Sequence, residues 1–216
     1  MAEMGTLELI RQEKIVAIIR GVAEEQILAT VRALMDGGIR LLEITFDHAQ
    51  PNAEEQTARK IALVHQHFGD QVRVGAGTVL TPQQVEMAAA AGAEYMISPH
   101  VDVSVIHKTK ELGKVSIPGA MTPTEVVTAY QAGADIVKLF PAGELGIPYI
   151  KALMSPLKHI PMMVVGGVTP ENVASFMKTG VCGVGVGGNL VVKEAIEHGR
   201  FEEIANMAQQ YIQQLK

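Results

Sequence analysis

The apolar positions of this chain fall into short unbroken runs separated by longer stretches of helical spacing. Ile15-Val16-Ala17-Ile18-Ile19 is apolar at every position, as a strand covered on both faces has to be, and it ends on Arg20-Gly21. Between Ala23 and Met35 the apolar residues Ile27, Val31 and Leu34 recur at helical intervals, and Gly37-Gly38 closes the segment. The alternation continues with predicted strands over 41–46, 72–76, 95–98, 115–117, 135–139, 162–165 and 182–186. Helices are predicted over 52–68, 103–112, 148–157 and 201–215, and a short N-terminal helix over 4–13.

Two devices punctuate the pattern. Thr81-Pro82-Gln83-Gln84-Val85, Thr122-Pro123-Thr124-Glu125-Val126 and Thr169-Pro170-Glu171-Asn172-Val173 each predict a helix start, with Thr as N-cap and Pro in the first turn. Gln84 and Glu125 stand where a capping box needs them. Ala91-Gly92-Ala93, Ala132-Gly133-Ala134 and Thr179-Gly180-Val181 mark helix exits that lead straight into strands. The count is eight strands alternating with eight helices, which means a parallel sheet. At 216 residues this predicts an α/β fold, a (β/α)8 TIM barrel with an extra N-terminal helix, as a single domain over 1–216. An open doubly wound sheet is the alternative, but it usually needs fewer strands, and no nucleotide fingerprint follows the first strand.

Composition narrows the function classes. Hydrophobic residues make up 48%, enough for a substantial core, and the net charge of −5 comes from interspersed acids and bases. Without a basic stripe or a stacking platform, nucleic acid is not an expected partner. Cys182 is the one cysteine, so neither an intrachain disulfide nor a multi-cysteine zinc site is available, and a buried core thiol is expected. The seven histidines show no metal spacing. No apolar run reaches membrane-spanning length, and a cytoplasmic protein without membrane contact is expected.

Within the predicted strand 135–139, Lys138 stands among apolar neighbours. A lysine in such a place either snorkels to water from a strand end or is kept for an amine whose pKa burial lowers. Strand parity separates the two. Leu42, Ile44 and Phe46 share one face and Glu43 and Thr45 the other; Val137 and Leu139 share one face and Ile136, Lys138 and Phe140 the other. Wholly apolar faces suit the helix ring, which puts Glu43 and Lys138 inside the barrel, in direct or water-mediated reach. Glu43 then serves either a structural ion pair with Lys138 or Arg20, or proton transfer. A neutral amine attacks a ketone, and a nearby carboxyl group shuttles the protons. Gly166-Gly167 and Gly187-Gly188 follow the last two strands, where many barrels hold phosphate on backbone N–H groups. His48 and His100 are expected at the mouth; Lys14, Arg40 and Arg73 flank strands and are expected to be solvated; Met162-Met163 is expected to fill core.

Ile18-Ile19-Arg20-Gly21, Leu42-Glu43-Ile44-Thr45, Val74-Gly75-Ala76-Gly77-Thr78-Val79, Ile97-Ser98-Pro99-His100, Val137-Lys138-Leu139-Phe140-Pro141 and Val165-Gly166-Gly167-Val168 together carry a resemblance covering nearly the whole chain. The sequence resembles the bacterial 2-keto-3-deoxy-6-phosphogluconate (KDPG) aldolase family, with its 4-hydroxy-2-oxoglutarate and phosphogalactonate relatives. The resemblance implies a class I, metal-free and cofactor-free lyase, usually a homotrimer. It would cleave KDPG or 4-hydroxy-2-oxoglutarate to pyruvate plus glyceraldehyde 3-phosphate or glyoxylate. By position, Lys138 would form the Schiff base and Glu43 would be the general acid/base. Arg20 and Thr78 would hold the pyruvate carboxylate, Pro99 and Phe140 would line the pocket, and Gly166, Gly167, Gly187 and Gly188 would take the phosphate.

The chain departs from the family pattern at three places. Phe46-Asp47-His48 replaces a stretch where many members carry an arginine, and Arg20 is the available substitute. Val165 stands where many have Thr beside the substrate hydroxyl, and Gly188 where a serine is common. Two other functions fit the same residues: a sugar-phosphate isomerase or epimerase with Glu43 as base, and a non-catalytic barrel that binds a phosphorylated ligand.

Overall fold

Strands buried on both faces need neighbours on both edges, and the chain supplies them by closing its sheet. The computed structural model describes residues 5–49 and 52–216. Its strands are β1 (Ile15–Ile19), β2 (Leu41–Thr45), β3 (Arg73–Gly77), β4 (Tyr95–Ile97), β5 (Val115–Ile117), β6 (Gly119–Ala120), β7 (Val137–Leu139), β8 (Met162–Val165) and β9 (Gly183–Val186). They pair in parallel in the order β5-β4-β3-β2-β1-β9-β8-β7-β6. The two ends of that order are halves of one extended segment, interrupted at Pro118, which has no N–H to give. Across the seam, the Asp135 N–H donates to the Ser116 carbonyl at 3.0 Å and the Lys138 N–H to the Pro118 carbonyl at 2.9 Å. The nine segments therefore make eight barrel strands in a nearly closed ring, as the repeat predicted, and β1 pairs β9 with no free edge between first and last. The doubly wound alternative falls with that pairing.

Helices α2 (Glu24–Asp36), α3 (Ala53–Phe68), α4 (Pro82–Ala90), α5 (Val103–Glu111), α6 (Pro123–Gln131), α7 (Ala142–Met154), α8 (Val173–Met177), α9 (Lys193–Glu197) and α10 (Phe201–Leu215) follow the strands, after an initial α1 (Thr6–Glu13). The start expected at Met4 lies outside the described residues. Among the described residues no helix is long and apolar enough to cross a membrane.

Apolar side chains divide into two clusters, as strand parity requires. Ile15, Ala17, Ile19, Leu42, Ile44 and Phe46 belong to the one under the helices; Val16, Ile18, Leu41, Tyr95, Ile117 and Ile136 belong to the one inside the ring. Ile10 of α1 joins the inner cluster, so that helix stops the amino-terminal end of the barrel. Tyr95 fills the space beside Gly75, where a Cβ would run into its ring, and its hydroxyl donates to the Leu42 carbonyl at 2.6 Å. The floor is thus solid, and the open space lies at the carboxyl ends of the strands.

Several expectations need correction. Thr81 and Thr122 cap their helices, the second as a full capping box with Glu125, but Thr169 does not. Its N–H donates to Asn172 Oδ1 at 2.8 Å, and α8 begins only at Val173, because the intervening turn serves the loop after β8. The helix expected over 148–157 starts where it should, after a break at Gly146 (φ 75°), but ends at Met154, and a short helical turn from Ala142 that was not expected precedes the break. The five-residue α9 was not foreseen. Arg73 is not solvated: it is 7% exposed, with Nε 3.4 Å from Glu94 Oε2 and Nη1 donating to the Asp70 carbonyl at 3.3 Å. Its inward parity at the start of β3 puts the guanidinium under the barrel floor, where carbonyls and carboxylates can satisfy it. Arg40 is half-buried in the same fashion, on the Met35 and Ile39 carbonyls.

Candidate active site

A cavity of about 570 Å³ opens at the carboxyl ends of the strands. All ten residues singled out from the sequence line it: Arg20, Glu43, Thr78, Pro99, Lys138, Phe140, Gly166, Gly167, Gly187 and Gly188. Lys138 and Glu43 stand diametrically opposed. From β2 to β7 is four strands by way of β1, β9 and β8, and four by way of β3, β4 and the split strand β5/β6.

Glu43 is 1% exposed and Lys138 7% exposed. Burial pushes the Glu43 carboxyl up from its ordinary range, against the pull of the Lys138 and Arg20 cations. Burial pushes the Lys138 ammonium down, and the Arg20 charge adds to this while Glu43 opposes it. The two groups feel each other's field, and among the described residues they form no ion pair and Glu43 Oε2 has no hydrogen-bond partner. Glu43 lines the cavity, so a donor brought in by a ligand could reach that oxygen. Gly77 leaves the room for it, since a Cβ there would overlap the Glu43 carboxyl.

Phe140, 39% exposed, lies with its ring centroid 5.0 Å from Lys138 Nζ. That face favours a cation at the nitrogen, an ammonium or an iminium alike. Thr78 adopts φ 57°, a left-handed conformation costly for a β-branched residue. Its hydroxyl accepts from Arg20 Nη2 at 3.0 Å, and its carbonyl pairs with His48 Nε2 at 2.9 Å. A carbonyl only accepts, so Nε2 carries the proton. His48 and His100 are both exposed and neither lines the cavity, although His48 braces Thr78, which does.

The glycines are required by space as well as by torsion. Gly166 (φ 90°) and Gly167 (φ 69°) both sit in the left-handed region. A Cβ on Gly167 would come 2.7 Å from the Gly143 Cα, and one on Gly166 would touch the Phe140 ring at 3.4 Å. Gly188 has open space around it, so a serine side chain would fit there. Val165, Val168 and Asn189 also line the cavity. Asn189 was missed, although its place directly after Gly187-Gly188 was a usable signal. Cys182 is half-buried against the inner cluster. Among the described residues no group of three or more His, Cys, Asp or Glu side chains is placed to hold a metal ion.

Residues 7–207 match the family model for KDPG and KHG aldolase. The 2-dehydro-3-deoxy-6-phosphogalactonate aldolase of Escherichia coli K12 is 38% identical over 177 residues, covering 82% of this chain and 83% of the relative. A solved native KDPGal structure has a TM-score of 0.83 at 35% identity, covering 93% of both chains. The KDPG aldolase of Legionella pneumophila, solved with pyruvate captured as a covalent carbinolamine intermediate, has a TM-score of 0.84 at 28% identity, covering 94% of this chain and 96% of that one.

Proposed function

The chain belongs to the KDPG and KHG aldolase family and is a class I pyruvate aldolase, and from that premise we propose that Lys138 is its Schiff-base lysine and Glu43 its proton shuttle. The observation that carries the assignment is Glu43, its Oε2 unpartnered among the described residues, facing the buried Lys138 across one cavity. Neutral Lys138 attacks the C2 ketone, and Glu43 delivers the proton with which the carbinolamine loses water. Glu43, now a carboxylate, takes the proton of the C4 hydroxyl. The C3–C4 bond breaks, the aldehyde departs, and the bonding pair moves into the iminium to leave an enamine. Protonation at C3 and hydrolysis release pyruvate and restore the amine.

Arg20, with the Thr78 hydroxyl, receives the pyruvate carboxylate, and Pro99 and Phe140 flank the bound chain. Gly166, Gly167, Gly187 and Gly188 receive the phosphate on backbone N–H groups. The preferred substrate is the phosphogalactonate epimer, a reading supported by the relative at 38% identity. The assembly is a homotrimer and the location cytoplasmic, readings that rest on the family resemblance and on substrates whose phosphate keeps them inside cells. Light scattering should give a mass near three times that of the chain.

Borohydride reduction in the presence of pyruvate tests the assignment. A reduced pyruvyl adduct on the Lys138 peptide is expected, with pyruvate release in a coupled dehydrogenase assay. An isomerase or an idle binding barrel would give neither, and an adduct on another lysine would overturn the role of Lys138.

A further inference from the structure

Tyr211 lies in α10, outside the strand ring and remote in sequence from both glycine loops. Its side chain is fully buried, and its hydroxyl donates to the Val168 carbonyl at 3.0 Å. The same carbonyl accepts a second bond, from Asn189 Nδ2 at 2.9 Å. Facing an acceptor alone, the Asn189 amide has to present its NH2 group. One oxygen thus joins the loop after β8, the loop after β9 and the last helix.

The two preceding carbonyls are engaged as well. The Gly166 carbonyl accepts from the Gly143 N–H at 2.9 Å, and the Gly167 carbonyl from Asn172 Nδ2 at 2.8 Å. Three consecutive carbonyls therefore spend lone pairs on the scaffold. The N–H groups of Gly167, Val168, Gly188 and Asn189 meet no acceptor among the described residues. Loops whose carbonyls are tied back and whose amides are unspent are built for an anion.

We propose that Tyr211 is a positioning residue of the phosphate subsite, holding both glycine loops in their anion-receiving form through the Val168 carbonyl. The inference rests on the phosphate reading above and adds the C-terminal helix to that subsite. Burial and the Glu171 carboxylate push Tyr211 up to about 12, so its hydroxyl stays a donor through the neutral range.

Tyr211→Phe removes one hydroxyl and keeps the ring that packs. KM for the phosphorylated substrate should rise roughly tenfold, about the worth of one hydrogen bond, with kcat nearly unchanged. Inhibition by inorganic phosphate should weaken by a similar factor. Borohydride trapping of pyruvate on Lys138 and cleavage of unphosphorylated 4-hydroxy-2-oxoglutarate should not change. Asn189→Ala releases the same carbonyl from the other side and should likewise raise KM for the phosphorylated substrate. If Tyr211→Phe affects both substrates alike, or lowers only the melting temperature, its role is structural and the inference falls. If the unaltered enzyme ignores inorganic phosphate and treats both substrates equally, the phosphate reading itself fails. If it discriminates and Tyr211→Phe discriminates equally well, the inference alone is wrong.

Discussion

Gly77 and Glu43 compete for one volume: a methyl group on Gly77 would occupy the space of the Glu43 carboxyl. The obstructed atoms are the far end of a flexible side chain, so Gly77→Ala should move the carboxyl and leave the barrel intact. Pyruvate should still be trapped on Lys138, while kcat falls by about two to four orders of magnitude, the usual reach of a proton shuttle. Gly75→Ala, two residues earlier, meets the wedged Tyr95 ring instead. That overpacking should cost about 1–3 kcal/mol and lower the melting temperature by roughly 3–10 °C. Thermal melts and trapping on the two variants check the contrast. Normal turnover by Gly77→Ala would mean that the carboxyl is not needed where it lies.

The field around Lys138 can be read by competitive labelling with acetic anhydride across pH. Burial lowers the folded-state pKa below the 10.5 of a free lysine, so the reactive amine should appear at lower pH than in the unfolded chain. Arg20→Ala removes a cation that opposes the ammonium, and the midpoint should move up. Glu43→Gln removes the carboxylate that favours the ammonium, and the midpoint should move down. Linkage gives the sign for stability. The unfolded chain binds this proton more tightly, so the penalty at Lys138 is present at neutral pH and fades as pH rises toward 10.5. A midpoint unmoved by either substitution would mean that the three charges do not share one cavity.

Much of this site was legible because strand parity is rigid. Once Leu42, Ile44 and Phe46 are given to the helix layer, Glu43 has nowhere to point but inward, and the same holds for Lys138 beside Val137 and Leu139. What stayed hidden depended on contacts between distant segments. Arg73 reads as a charge at a strand end until Glu94 and the Asp70 carbonyl are seen beside it. Thr169 carries the same Thr-Pro signature as Thr81 and Thr122, yet Asn172 takes its N–H into a turn that shapes the loop. Tyr211 belongs by pattern to an amphipathic helix, and only the fold brings its hydroxyl to Val168.

Thr78 holds a strained backbone for the sake of its side chain. At φ 57° a β-branched residue costs about 1–3 kcal/mol. Thr78→Gly should relieve that strain, less the roughly 0.4–1 kcal/mol of extra unfolded-chain entropy that glycine brings. A melting temperature unchanged or raised by a few degrees is expected, together with a KM for pyruvate in imine trapping raised about tenfold by loss of the hydroxyl. A clear drop in melting temperature would mean that the bond from Arg20 and the His48 brace hold the fold rather than the ligand.

Val165 lines the cavity immediately before Gly166 and is almost fully buried, so it can set substrate configuration without carrying any chemistry. An apolar wall cannot reward one orientation of a hydroxyl over another, whereas a wall that hydrogen-bonds the hydroxyl discriminates strongly. Val165→Thr keeps the volume nearly constant and adds a single hydroxyl at that wall. The ratio of kcat/KM between KDPG and its galactonate epimer should shift about tenfold, one hydrogen bond's worth, toward the epimer whose hydroxyl faces β8, while pyruvate trapping on Lys138 stays the same. Kinetics on the two epimers, with the trapping rate as control, decide it. An unchanged ratio would move the origin of configuration preference away from β8, to Arg20 and the loop after β2.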